Sequence, residues 1–131
     1  MAKLSKEELA KLSELDLKNC VPACSVNDLN PSLVDRFTLA QKMAGFQFTV
    51  TSGFRSQAYE RSKGRKGTSS HCKGLALDVS ARDSHTRYKV VVAAALAGIP
   101  RIGIGETFVH LDIDETKAHP IIFHYYYPQE T

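Results

Sequence analysis

The sequence predicts an α+β domain in which a mainly antiparallel sheet carries its helices on one face. Three observations lead there. Segments near the start, the first third and the last third of the chain show apolar residues at helical spacing behind cap residues. The stretches from Phe46, Leu75 and Thr107 alternate with a period of two. Several strand-like segments are joined by turns so short that only antiparallel pairing fits them. A chain of 131 residues suits one core, so 1–131 is read as a single domain.

Each element has its own warrant. Ser5 and Glu8 form a capping-box pair ahead of Leu9, Leu12 and Leu15, predicting a helix over 5–17. In "NPSLVDRF" Asn30 is the cap and Pro31 the first helical residue, with Leu33, Val34, Phe37, Ala40 and Met43 at helical spacing up to Gly45. Phe46, Phe48 and Val50 then alternate with Gln47, Thr49 and Thr51, a strand that ends in "SGFRS" and its Arg55. Arg61, Lys63, Arg65 and Lys66 follow beside Gly64 and Gly67 as a basic loop.

Leu75, Leu77 and Val79 alternate with Ala76, Asp78 and Ser80 in a second strand. "SHTRYKVVVAAALAG" reads as a buried helix from Ser84 to the Gly98 stop. "IPRIGIGETFVHLDID" gives two short strands around Gly105, and "PIIFHYYY" a last one rich in β-formers.

Composition narrows the class. With 43% hydrophobic and 24% charged residues the chain reads as globular, not disordered or fibrous. No apolar run approaches the roughly 20 residues that span a bilayer, and the charged N-terminal stretch lacks a signal peptide's apolar core. The expectation is synthesis in the cytoplasm and no membrane insertion. Cys20, Cys24 and Cys72 are odd in number, and C-x-x-x-C is neither a redox nor a zinc pair, so reduced thiols are expected.

One constellation carries chemistry. Over 107–113 one face holds Thr107, Val109, Leu111 and Ile113 and the other Phe108, His110 and Asp112. Asp78 lies opposite Leu75, Leu77 and Val79 on its own strand. If the two strands are neighbours, Asp78 and His110 meet on the face away from the helices, and His71 folds back over them. Two imidazoles and a carboxylate are the ligand set of a catalytic zinc site. Spacing alone leaves open an Asp paired with an arginine and histidines that are merely hydrogen-bonded.

"SSHCKGLALD" resembles the S-x-H-x-x-G-x-A-x-D signature of the M15 family of zinc D-alanyl-D-alanine peptidases, which includes phage endolysins and vancomycin-resistance dipeptidases. "FVHLDID" is similar to that family's later H-x-D strand and "TSGFRS" to its upstream turn, in the same order across residues 51–114. The resemblance implies Zn²⁺ held by His71, Asp78 and His110, and hydrolysis of amide bonds in D-Ala-containing peptides of bacterial peptidoglycan. It implies that Arg55 binds a substrate carboxylate or carbonyl oxygen, with Ser70 beside it orienting the loop or a ligand.

Many members of the wider family place the general base three residues before the last histidine, where this chain has Thr107. Glu106 is then the first candidate for the base and Asp112 the second, Asp112 alternatively accepting the N–H of a ligand histidine. The expected setting is a monomeric phage or prophage lysis enzyme, released to the wall or carried on the virion. A metal-stabilised binding module of the same fold, like the related Hedgehog signalling domain, is the alternative. The basic loop raises nucleic acid as a third partner class, not expected because the recognised binding motifs are absent.

Overall fold

The computed structural model describes residues 3–125. The N-terminal helix α1, Lys6–Leu12, begins at the capping box: Ser5 Oγ accepts from Glu8 N–H at 3.0 Å, and Glu8 Oε1 accepts from Ser5 N–H at 3.3 Å. It stops short of the expected residue 17 because the core captures its exit. Buried Gln41 donates through Nε2 to the carbonyls of Leu12 and Glu14, both at 2.9 Å, while its Oε1 accepts from Phe48 N–H at 2.9 Å. Asp16 then bridges to Thr49 as extended chain.

Helix α2, Pro31–Ala44, follows the expected boundaries, with Asn30 Oδ1 accepting from Ser32 N–H at 2.8 Å. It buries Leu33, Phe37 and Ala40, whereas Met43 is half exposed. The strand expected from Phe46 shrinks to β1, Val50–Ser52. Phe46 and Phe48 are used for packing, Phe48 meeting Phe37 edge to face at 5.4 Å. The basic stretch is partly helical: α3, Gln57–Ser62, is capped by Ser56 and went unread because its six residues show no apolar period.

The remaining elements are β2, Ala76–Ser80; α4, Ser84–Leu96; β3, Arg101–Ile104; β4, Phe108–Asp112; and β5, Ile121–His124. They form one sheet in the order β1-β2-β4-β3-β5. Three of its pairings are antiparallel, and β3 with β5 is parallel. Tyr126 and Tyr127, expected in the last strand, lie outside the described residues.

Leu77, Val79, Val109, Leu111 and Ile102 bury one face of the sheet against Leu33, Phe37 and Ala40 of α2 and Val90, Ala93 and Ala94 of α4. The strands' alternation sends Asp78, His110 and Asp112 to the other face. No helix among the described residues is long and apolar enough to cross a membrane.

Candidate active site

Register builds the centre of the site. The antiparallel pairing of β2 with β4 sets Asp78 opposite His110, and facing side chains of such a pair lie close enough to interact. His110 Nδ1 is 2.9 Å from Asp78 Oδ1. His71 comes from a 3₁₀ turn, Ser70–Lys73, that ends at Gly74. Gly74 has φ 70°, and a Cβ there would stand 2.5 Å from Asp28 O, so only glycine lets the chain reverse against that backbone. The reversal brings His71 Nε2 to 3.4 Å from Asp78 Oδ1.

Hydrogen bonds fix which nitrogen each ring presents. Gly53 O, an acceptor, lies 2.7 Å from His71 Nδ1, so Nδ1 carries the proton and Nε2 turns its lone pair toward Asp78. His110 Nε2 is 2.6 Å from Asp112 Oδ2, which leaves Nδ1 facing Asp78. Asp112 is fully buried and also accepts from Arg101 Nε at 2.9 Å and from Asp114 N–H at 3.0 Å.

Burial would raise the Asp78 carboxyl, but the two imidazoles that face it, His110 and His71, outweigh burial and hold the group well below the usual carboxylate range. Asp112 is lowered by the same contest, with His110 and Asp114 N–H opposing burial. Burial would lower His110, and its bonds to Asp112 and Asp78 raise it instead.

The three donor groups, His71, Asp78 and His110, lie within 4.8 Å of one another. Two ligands of a tetrahedral ion at about 2.0–2.1 Å stand about 3.3 Å apart. The 3.4 Å between His71 Nε2 and Asp78 Oδ1 fits that spacing, so the donor set could hold a divalent metal ion.

The cluster opens into a cavity of about 360 Å³, bordered also by Arg55, Arg101, Phe123 and Tyr125. Arg55 is fixed there by Ser52 Oγ at 3.0 Å from Nε and Glu60 at 3.5 Å from Nη1, and its Nη2 is 3.6 Å from Asp78. Ser70 is buried: its Oγ donates to Asp114 Oδ2 at 2.8 Å and accepts from Lys117 Nζ at 2.9 Å. Its hydrogen and one lone pair are used, which anchors the 3₁₀ turn to the loop after β4 where Ser70 borders the cavity.

Glu106 lies apart from the cluster. It sits exposed in the turn between β3 and β4 and does not border the cavity; only its carbonyl is engaged, accepting from Arg87 Nη2 at 3.0 Å. The turn breaks the alternation that would have put it beside His110. Glu60, Arg101 and Lys117 are cavity residues that the sequence reading did not name. Glu60 left one signal, as the only acidic residue of the cationic stretch 55–66. Arg101 left none, because it depends on its pairing with Asp112 across β3 and β4.

The sequence matches the family described as Peptidase M15 over residues 2–112. No curated protein matches it. Among solved structures, a similar one is the crystal structure of Serratia marcescens L-Ala D-Glu endopeptidase ChiX, with TM-score 0.53 and 25% identity over 66% of this chain and 81% of that one.

Proposed function

Since the chain belongs to the peptidase M15 family, we propose that it is a zinc-dependent endopeptidase that hydrolyses an amide bond within bacterial cell-wall peptides. The observation that carries this is the convergence of His71 Nε2, the Asp78 carboxylate and His110 Nδ1 beside an open cavity, each ring held by a bond on its other nitrogen. An internal bond is favoured over removal of a terminal D-alanine for two reasons. The structural neighbour is named as an L-Ala D-Glu endopeptidase, and a second groove adjoins the cavity, sharing Glu60, Arg65, Ser69 and Lys117 with it.

Zinc, when bound by His71, Asp78 and His110, supplies a Lewis acid for an amide carbonyl and makes water nucleophilic near neutral pH. The chain's own residues do the rest. Arg55, held by Ser52 and Glu60, offers its remaining donors to the substrate carbonyl oxygen or carboxylate. Asp112 keeps His110 in one tautomer and orientation, with Arg101 holding Asp112 in turn. Glu106 stands outside this arrangement, and Glu106→Ala is expected to leave turnover within about twofold, the ordinary range for exposed residues.

Among the described residues, every carboxylate bordering the cavity is engaged: Glu60 by two arginines, Asp112 by three donors, and Asp78 among the proposed ligands. That observation favours, as a second reading, a metal-stabilised module that binds wall peptide without cutting it. Mass spectrometry of peptidoglycan fragments, incubated with zinc-loaded protein beside a chelator-stripped control, decides between them. A new amine terminus formed only with zinc supports the peptidase and names its bond. Unchanged fragments from several wall chemistries, with folded and zinc-replete protein, support the binding module.

A further inference from the structure

The cavity at the candidate ligands has a neighbour on the side of the basic loop. A second groove of about 520 Å³ adjoins it and shares Glu60, Arg65, Ser69 and Lys117 with it. Its other borders are Lys66, Gly67, Thr68 and Thr116.

Two of its cations are held in place by buried polar groups. Arg65 is ion-paired to Glu60, whose side chain is 1% exposed, yet the Arg65 side chain itself is 52% exposed. Lys117 donates to buried Ser70 Oγ at 2.9 Å and stands 3.9 Å from Asp114 Oδ2, and an ammonium has three hydrogens to donate. Lys66 has no hydrogen bond or ion pair among the described residues.

The loop between these cations is fixed as well. Gly67 takes φ 77°, a conformation that favours glycine, and its carbonyl accepts from Gln57 Nε2 at 3.4 Å, folding the loop back on α3. Ser69 Oγ already accepts from His71 N–H at 3.1 Å, so its own hydrogen is free to be donated. The Thr68 hydroxyl adds another donor.

Among the described residues the groove is thus lined by ammonium, guanidinium and hydroxyl donors and one carboxylate, Glu60, which is buried and already shared by Arg55 and Arg65. A donor-lined groove with excess positive charge suits a ligand that only accepts hydrogen bonds and carries negative charge. The border shared with the candidate ligands' cavity suggests where that ligand belongs. A peptide lying across His71, Asp78 and His110 and leaving past Ser69 would carry its next side group between Lys66 and Lys117.

We propose that this groove is a subsite for a free carboxylate of the wall peptide, one residue or so from the cleaved bond, read by Lys66, Lys117 and Arg65. The inference rests on the peptide-substrate reading above and adds a specificity to it: an acidic residue is accepted there as a carboxylate and discriminated against as an amide. A phosphate-bearing wall polymer would be attracted by the same cations, but it would not need the groove to share its border with the catalytic cavity.

The test uses two stem peptides that differ only in one glutamate, free in one and amidated in the other. Binding to the full zinc-loaded chain is measured by calorimetry, with hydrolysis followed by mass spectrometry in parallel. The free peptide is expected to bind about tenfold more tightly, the scale of one charge-assisted hydrogen bond, and to lose that advantage at high salt. Lys66→Ala, at an exposed position that cannot threaten folding, is expected to remove most of the difference while leaving the amidated peptide unchanged. Lys117→Ala is expected to weaken the free peptide more than the amidated one, with a thermal melt to confirm that losing the bond to Ser70 has not loosened the turn.

Equal affinity for the two peptides overturns the subsite. So does an equal loss for both in Lys66→Ala, which would make the lysine part of a general anionic-polymer surface. If neither peptide is hydrolysed but the affinity difference and its loss are seen, the subsite stands and the peptidase reading is what fails.

Discussion

The two faces of the sheet are built from the same strands and follow different rules. Toward α2 and α4, Leu77, Val79, Val109 and Leu111 are fully buried among apolar neighbours, where volume and shape decide what is tolerated. One residue along on the same strands, Asp78, His110 and Asp112 face the cavity, and each depends on the chemical identity of its partner. Stability and chemistry are therefore divided by the parity of a strand position. Substitutions on one face should leave the other's property largely intact.

The largest effect is expected from His71→Ala. Turnover of wall peptide should fall by at least about a thousandfold, about 4 kcal/mol of barrier, while the thermal melt shifts by only a few degrees. A melt lowered as far as that of a core variant would break the division between the faces.

Phe37→Ala is the converse experiment. It removes a fully buried ring that packs on Phe48 and should cost about 3–5 kcal/mol in urea unfolding. Zinc affinity per folded molecule should remain as in the parent, and a loss there would show that the apolar face also sets ligand geometry.

Asp112→Asn sharpens the comparison from the polar side. The amide keeps the shape but not the charge that meets His110 Nε2 and Arg101, and zinc affinity in a chelator competition should drop about 10- to 100-fold. An unchanged affinity would remove Asp112 from the positioning role.

The smallest effect belongs to Glu60, which links the basic loop to Arg55. Burial would raise its carboxyl, but Arg65 and Arg55 outweigh that and hold it below the ordinary 4.5. A folded pKa below the unfolded one gives stability that is present above pH 4.5 and is lost as pH falls through the folded value. Glu60→Gln should therefore cost about 1 kcal/mol at neutral pH, a modest figure because Arg65 is half exposed. The gap from the parent should close in strongly acidic urea titrations. A gap independent of pH would assign the loss to packing.

Local signals in the sequence were read well where the element answers to its own residues. Asn30-Pro31 opened α2, and the alternation around Asp78 and His110 put both on the face away from the helices. They failed where distant groups intervene. The end of α1 is decided by Gln41, 29 residues from Leu12, and the strand expected from Phe46 yields its first residues to the packing of Phe46 and Phe48. Ser70 reads as a site serine by its neighbour His71, yet its hydroxyl is spent on Asp114 and Lys117, 44 and 47 residues away.

What the sequence by itself determined was parity and caps: which side chains of one strand share a face, and where α2 begins. These are consequences of bond geometry within a few residues. Only the tertiary structure decided the register that sets Asp78 against His110, the arginine behind Asp112, the exclusion of Glu106, and the meeting of Lys66 with Lys117 across one groove. Each of these depends on how segments far apart in the chain are brought together, a choice made by the packing of the whole core and carried by no single stretch of residues.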